Sequence, residues 1–120
     1  MKIAFSTAGE DLDAAVDSRF GRCARFLIYD TEADTSELID NVQNLNAVQG
    51  AGVQAAQNVA RTGAKAVVTG HCGPKAFRVL GQAGIEIYTA ENMTIRQALD
   101  KILAGELKPA EAADVEGHWV

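Results

Sequence analysis

An imidazole and a thiol stand side by side in one short turn of the chain. The turn consists of Gly70, His71, Cys72, Gly73, Pro74 and Lys75. It follows the apolar run 64–69, and its proline suits the first position of a helix, so the pattern predicts strand, turn and helix. Backbone N–H groups at such a helix start attract anions, and a neighbouring lysine adds charge. Imidazole and thiolate also bind soft metals.

A second segment concentrates positive charge in an acidic chain. It consists of Ser18, Arg19, Phe20, Gly21 and Arg22, and the net charge of the whole chain is −5. A guanidinium presents a fixed fork of donors and stays charged, which suits an anion with several oxygen or sulfur atoms. The arginines could instead form weak surface ion pairs with Glu10, Asp11, Asp13 and Asp17. Both interpretations are open at this point.

Hydrophobic patterning predicts an α/β domain that would bring the two segments together. Strands are predicted at 3–6, 26–30, 36–42, 64–69 and 85–89, and helices at 49–61, 75–82 and 95–103, the last behind a capping box at 94–97. The second and third strands form an antiparallel hairpin, and the strand-helix-strand unit from 64 to 89 requires parallel pairing. In open α/β sheets, ligands bind beyond the carboxyl ends of parallel strands. The loops 7–9, 70–74 and 89–92 should therefore meet there.

Composition limits the classes of function. The 120 residues, 48% of them hydrophobic, make one domain, which we place at 1–105 with a tail of uncertain structure at 106–120. The acidic balance argues against nucleic acid, and no apolar run approaches the roughly 20 residues of a membrane helix. No signal peptide is evident, so we expect a cytoplasmic protein that does not bind membranes. In that compartment Cys23 and Cys72 should remain thiols rather than form a disulfide.

Together, the segments 18–22 and 70–77 resemble the nitrogenase cofactor-biosynthesis accessory family, which contains NifX-like proteins and the C-terminal domain of NifB. The resemblance runs from Met1 to about Leu103. The small, free-standing form with His-Cys in the loop, the orange-protein type of sulfate-reducing bacteria, looks most similar. The resemblance implies a three-layer α/β fold like that of ribonuclease H. It also implies non-catalytic binding, carrying or assembly of a molybdenum–copper sulfide cluster, or of the iron–molybdenum cofactor or its precursor, with protein partners in cluster transfer.

The residues and the resemblance together predict a cluster site between 18–23 and 70–75. Arg19, Arg22 and Lys75 would supply charge, and His71 and Cys72 are candidate metal contacts. Because members of the family vary at positions 71 and 72, we favour capture by charge and hydrogen bonds with an optional Cys72 contact.

Two other classes of function stay open. The first is a small enzyme with Cys72 as nucleophile and His71 as base, although adjacent side chains rarely aim at one another. Nuclease chemistry is disfavoured because the first strand carries no carboxylate. The second is a regulatory interaction domain without a cofactor, binding through the sheet edge of the hairpin.

Overall fold

Five strands form one mixed sheet in the computed structural model, which describes residues 1–46 and 48–111. The strands are β1 (Lys2–Thr7), β2 (Arg25–Asp30), β3 (Thr35–Asp40), β4 (Ala66–Thr69) and β5 (Glu86–Thr89), in the order β3-β2-β1-β4-β5. β2 pairs antiparallel with both β1 and β3, whereas β4 pairs parallel with both β1 and β5. The predicted mixed sheet with an antiparallel hairpin is confirmed.

Helices cover both faces of this sheet. They are α1 (Ala51–Ala60), α2 (Pro74–Gln82) and α3 (Ile95–Leu103). Because strand side chains alternate between faces, Ala4 and Val67 pack with α1 and α2, whereas Phe5 and Val68 pack with α3. Two hydrophobic cores thus lie on opposite faces of the sheet, and the predicted three-layer α/β arrangement is confirmed.

The third strand ends earlier than its apolar pattern predicted. β3 stops at Asp40, Asn41 is buried, and Val42 is 68% exposed. The side chain of Asn41 hydrogen-bonds the backbone at Gly21 and Cys23, so the chain leaves the sheet to make these bonds. A pattern of hydrophobic residues does not detect a strand that ends for a polar contact.

The acidic loop after β1 is attached to the sheet. Val16 is buried and forms a β-bridge with Thr7, and Ala15 forms another with Thr94. The acidic side chains at 10, 11 and 13 remain exposed. The loop thereby delivers the following residues, 17–22, to the carboxyl ends of the central strands.

The first residues of the predicted tail pack against the domain. Leu107 is half-buried against the core beside α3, and the Ala110 N–H donates to the carbonyl of Ile87 (2.6 Å). Residues 112–120 of that tail lie outside the described part of the chain, and the division at 105 stays a prediction. Across the described ranges, no helix is long and apolar enough to cross a membrane.

Candidate functional site

The loops that follow the parallel strands meet at one end of the sheet. The N–H of Ala90, just after β5, donates to the carbonyl of Thr69 at the end of β4 (2.9 Å). Beside them, the Asp17 N–H donates to the carbonyl of Ser6 in β1 (2.7 Å), and the Val16 N–H donates to the carbonyl of Met93 (3.0 Å). Loops after β1, β4 and β5 are therefore in contact, as expected for the ligand end of an open α/β sheet.

The arginine segment lies directly against the glycine-bounded turn. Arg19 and His71 form a parallel β-bridge, and the Phe20 N–H donates to the carbonyl of His71 (3.3 Å). A Cβ added to Gly70 would stand 2.5 Å from the Cα of Ser18, so only glycine permits this approach. The structure thus places the first part of the arginine segment, Ser18 to Phe20, beside Gly70 and His71.

Two buried hydroxyl groups fix where the arginine segment begins. The Oγ of Ser6 donates to the carbonyl of Asp17 (2.7 Å) and lies 2.8 Å from the Oγ1 of Thr69, which is 3.3 Å from the same carbonyl. The Asp17 carboxylate accepts from the Arg19 N–H (2.8 Å) and so shapes the next turn. The sequence analysis did not identify Ser6 and Thr69. The pattern that could have indicated them is a hydroxyl residue at the end of each buried strand.

Positive charge at this site is only partly neutralised. Arg19, with 66% of its side chain exposed, lies 3.5 Å from Asp17. Arg22 and Lys75 are exposed, and no ion pair is recorded for either within residues 1–46 and 48–111. The ion-pair interpretation therefore holds for Arg19, whereas Asp13 pairs with Arg96 of α3 at 3.0 Å instead of with the arginine segment. Arg22 and Lys75 are therefore available to an incoming anion.

The starts of α1 and α2 also meet the arginine segment. Gly50 and Gly73 precede the two helices, and neither helix start has a side-chain cap. A Cβ on Gly21 would stand 2.9 Å from the N of Gly52, and a Cβ on Gly52 would stand 3.4 Å from the Cβ of Ala76. The positive ends of two helix dipoles thus lie near the arginines and add to the local field.

His71 and Cys72 occupy different environments. The half-exposed His71 places its Nε2 2.7 Å from the Oε1 of Glu91, which follows β5. Cys72 is 1% exposed within the core beside α2, and its Sγ lies 3.8 Å from the carbonyl oxygen of Gly73. The thiol therefore points into the protein and not towards the site. Metal binding by Cys72 stays a prediction.

The other thiol is a core group. Cys23 is 4% exposed, and its Sγ donates to the carbonyl of Phe20 (3.4 Å). Burial, aided by the negative charge of Asp17, raises the pKa of Cys23 to about 12. The two cysteines are not joined by a disulfide, as expected. In the part of the chain that the structure describes, no three histidine, cysteine, aspartate or glutamate side chains form a metal-binding group.

A cavity of about 450 Å³ opens beside the site, towards α3. Its lining consists of Ala15, Val16, Ser18, Glu91, Asn92, Met93, Thr94 and Gln97. Of the predicted site residues, only Ser18 lines this cavity, and the arginines and Lys75 do not. The basic groups thus face a different part of the surface.

Comparison with known proteins agrees with this architecture. The profile of the dinitrogenase iron-molybdenum cofactor family matches residues 1–105. The chain belongs to this family. An uncharacterised protein of Methanocaldococcus jannaschii is 34% identical over 95 residues, which cover 77% of this chain and 80% of that protein.

Solved structures extend the likeness to nearly the whole chain. The apo form of the orange protein from Desulfovibrio gigas is 39% identical, with a TM-score of 0.89 over 95% of this chain and 96% of that one. A Thermotoga protein described as a candidate NifB protein is 30% identical, with a TM-score of 0.75 over 90% of this chain and 91% of the other. The resemblance deduced from the two motifs is confirmed.

Proposed function

We propose that this protein binds an anionic metal–sulfide cluster and carries it, or holds it during assembly, without catalysing a reaction. The cluster is of the molybdenum–copper type, with the iron–molybdenum cofactor or its precursor as the alternative. Proteins that donate or accept the cluster are its partners. Membership of the dinitrogenase iron-molybdenum cofactor family and the 39% identity to the orange protein support this assignment.

One observation carries the proposal. In a chain of net charge −5, Arg22 and Lys75 are exposed and form no ion pair with any residue that the structure describes, and they lie where two uncapped helix starts meet. A thiomolybdate-type cluster is a soft polyanion, so cationic side chains and backbone N–H groups bind its sulfide face through charge-assisted hydrogen bonds. Such a site needs no covalent bond to hold its cargo and can release it to a partner.

The buried thiol is compatible with carrying rather than with nucleophilic catalysis. A Cys72 nucleophile would need an exposed sulfur and a base aimed at it, yet Cys72 is 1% exposed. The Nε2 of His71 is directed to Glu91 at 2.7 Å. We therefore assign His71 to the wall of the site, where its ring could contact copper.

The test is a titration with a defined probe, tetrathiomolybdate with cuprous ion, into protein kept free of oxygen. We expect binding with a new absorption band, weakened as salt rises from about 0.05 to about 0.5 M. Replacing both Arg19 and Arg22 with alanine should lower affinity about tenfold or more, because two charge-assisted contacts are lost.

The matched control removes the same charge at a distance. Lys2→Ala with Lys65→Ala changes the net charge equally but affects the opposite end of the sheet, where β1 and β4 begin. We expect this pair to lower affinity by less than about threefold, since only screened long-range attraction is lost. Equal losses in the two double variants would contradict the site.

A further inference from the structure

A buried amide holds the backbone on both sides of Arg22. The Nδ2 of Asn41 donates to the carbonyl of Gly21 (3.3 Å) and to the carbonyl of Cys23 (3.0 Å). The Asn41 N–H also donates to the carbonyl of Ala24 (3.1 Å). Asn41 itself is only 9% exposed. One side chain at the end of β3 thus bonds the carbonyls preceding and following Arg22, and the Nε2 of Gln43 donates as well to the first of them, that of Gly21 (3.4 Å).

The opposite side of this amide is fixed just as firmly. The Oδ1 of Asn41 accepts from the Nδ2 of Asn58 in α1 (2.9 Å) and from the Nε2 of Gln43 (3.2 Å). Asn58 in turn donates to the carbonyl of Val42 (3.0 Å) and accepts from the Nη2 of Arg61 (2.5 Å). Rotating the Asn41 amide by half a turn would disrupt bonds on both sides, so its orientation is determined by the fold.

This arrangement requires an asparagine. A carboxylate of the same shape could accept from Asn58 and Gln43 but could donate to neither Gly21 nor Cys23. An apolar residue would remove the side-chain donor to the buried carbonyl of Cys23 and leave that of Gly21 with the longer bond from Gln43 (3.4 Å), and losing a donor to a buried carbonyl costs more than the bond contributes. Within the described chain, no buried side-chain nitrogen or oxygen lacks a partner, so the network is complete as it stands.

We propose that Asn41 is a positioning residue of the cluster site, which fixes the Gly21–Cys23 backbone against α1 and so sets where Arg22 presents its guanidinium. This inference rests on the proposed function. Arginine has a long, mobile side chain, and ordering it opposes binding. Holding the peptide units before and after Arg22 removes backbone freedom in advance, so less is lost when an anion binds.

The deciding experiment is a double-mutant cycle between Asn41→Ala and Arg22→Ala, titrated with tetrathiomolybdate and cuprous ion. Arg22→Ala should weaken binding about five- to tenfold in the native background, because a charge-assisted contact is lost. In the Asn41→Ala background the same change should cost less than about twofold, since the arginine is already displaced. Fully additive effects would overturn the proposal.

Asn58→Ala serves as the matched control. Asn58 is 7% exposed and belongs to the same network, but it makes no recorded hydrogen bond to the arginine segment. Its loss should destabilise the protein comparably. The Nε2 of Gln43 still donates to the Oδ1 of Asn41 (3.2 Å) in this variant and keeps the amide oriented, so the cost of Arg22→Ala should stay near its native value. If Asn58→Ala abolishes that cost as fully as Asn41→Ala does, Asn41 acts through general stability and the proposal is wrong.

A second measurement needs no ligand. The ¹⁵N heteronuclear NOE of the Arg22 amide reports fast backbone motion. It should fall in Asn41→Ala and stay native in Asn58→Ala. If Asn41→Ala does not fold, Asn41→Asp is measured instead, because it lacks the same donors yet keeps the acceptor oxygens. A native NOE in the folded variant overturns the positioning role. Wild-type protein that binds no probe refutes the proposed function, whereas the NOE still decides the role of Asn41.

Discussion

The starts of α2 and α3 differ in how their backbone donors are used. At α3, the Oγ1 of Thr94 accepts from the Gln97 N–H (3.1 Å), and the Oε1 of Gln97 accepts from the Thr94 N–H (2.9 Å). At α2, Gly73 and Pro74 begin the helix with no side-chain cap. At the start of α3, side chains therefore accept hydrogen bonds from the first backbone N–H groups. At the start of α2, which lies at the candidate site, no side chain of the described residues caps these groups.

Charge follows the same division. Beside the start of α3, Arg96 is neutralised by Asp13 at 3.0 Å. Beside the start of α2, Lys75 is exposed with no ion pair recorded in the described ranges. Folding alone does not require that the start of α2 keep uncapped N–H groups and an exposed lysine while the start of α3 is capped and its arginine is paired. We therefore expect a ligand at the start of α2 that supplies negative charge.

The largest effect should come from breaking the contact between the two site segments. Gly70→Ala would force a Cβ to within 2.5 Å of the Cα of Ser18, and backbone cannot yield there as a side-chain end can. We expect a loss of about 1 to 3 kcal/mol in the free energy of unfolding, together with loss of probe binding. Urea denaturation and titration measure the two effects.

Gly81→Ala is the control for that prediction. Gly81 lies in the last turn of α2, and a Cβ there would meet nothing within 4 Å. The change should stabilise the protein by up to about 1 kcal/mol because alanine favours helix, and binding should be native. A Gly70→Ala protein as stable as the wild type would show that the segments are not in close contact.

The start of α3 and the turn before α2 could both be predicted from the sequence, because short local patterns of residues indicate them. The capping box at Thr94 and Gln97 is read directly from residue types three apart, and structure confirms it. The meeting of the arginine segment with the glycine-bounded turn was predicted from the family resemblance together with the rule that the carboxyl ends of parallel strands share an edge. That rule alone brought together only the loops 7–9, 70–74 and 89–92.

What the sequence could not reveal are hydrogen bonds between residues far apart in the chain. Ser6 bonds Thr69 across 63 positions, and Asn41 bonds Gly21 across 20. No periodicity relates such pairs, because each depends on how two segments approach after folding. The inward direction of Cys72 was equally hidden, since its sequence neighbours suit an exposed and a buried thiol alike.

Cys72→Ser distinguishes ligation from capture by charge. If arginines and backbone N–H groups hold the cluster, the change should alter the binding free energy by less than about 1 kcal/mol in a folded variant, because the sulfur is buried and offers the cluster no contact. If the thiolate binds copper, the metal should be lost, because a hydroxyl is a poor ligand for it. Absorption spectra of the loaded variant separate the cases. Complete loss of cluster from a well-folded variant would contradict the charge-based site.

The buried Cys23 thiol should make the free energy of unfolding fall at alkaline pH. Its pKa is raised from 9.0 to about 12 in the folded protein, so folding favours the protonated form. The associated stability is fully present below pH 9 and is lost as pH rises towards 12, by about 1.4 kcal/mol per pH unit. Urea denaturation at pH 8 and 10 should show a steeper loss in the wild type than in Cys23→Ala. Identical slopes would mean that Cys23 is not buried.

The smallest effects test the difference between a capped helix start, that of α3, and an uncapped one, that of α1. Thr94→Ala removes the cap of α3 and should lower the free energy of unfolding by about 1 kcal/mol. Gly50→Asp adds a cap to α1 at a position with extended backbone and no atom within 4 Å of a new Cβ. It should raise stability by a few tenths of a kcal/mol, since aspartate caps better than glycine and its charge suits the helix dipole. Thermal unfolding of both variants measures the opposite signs. If Gly50→Asp instead destabilised the protein, the start of α1 would already be satisfied, and its open donors could not contribute to the difference between the two sides.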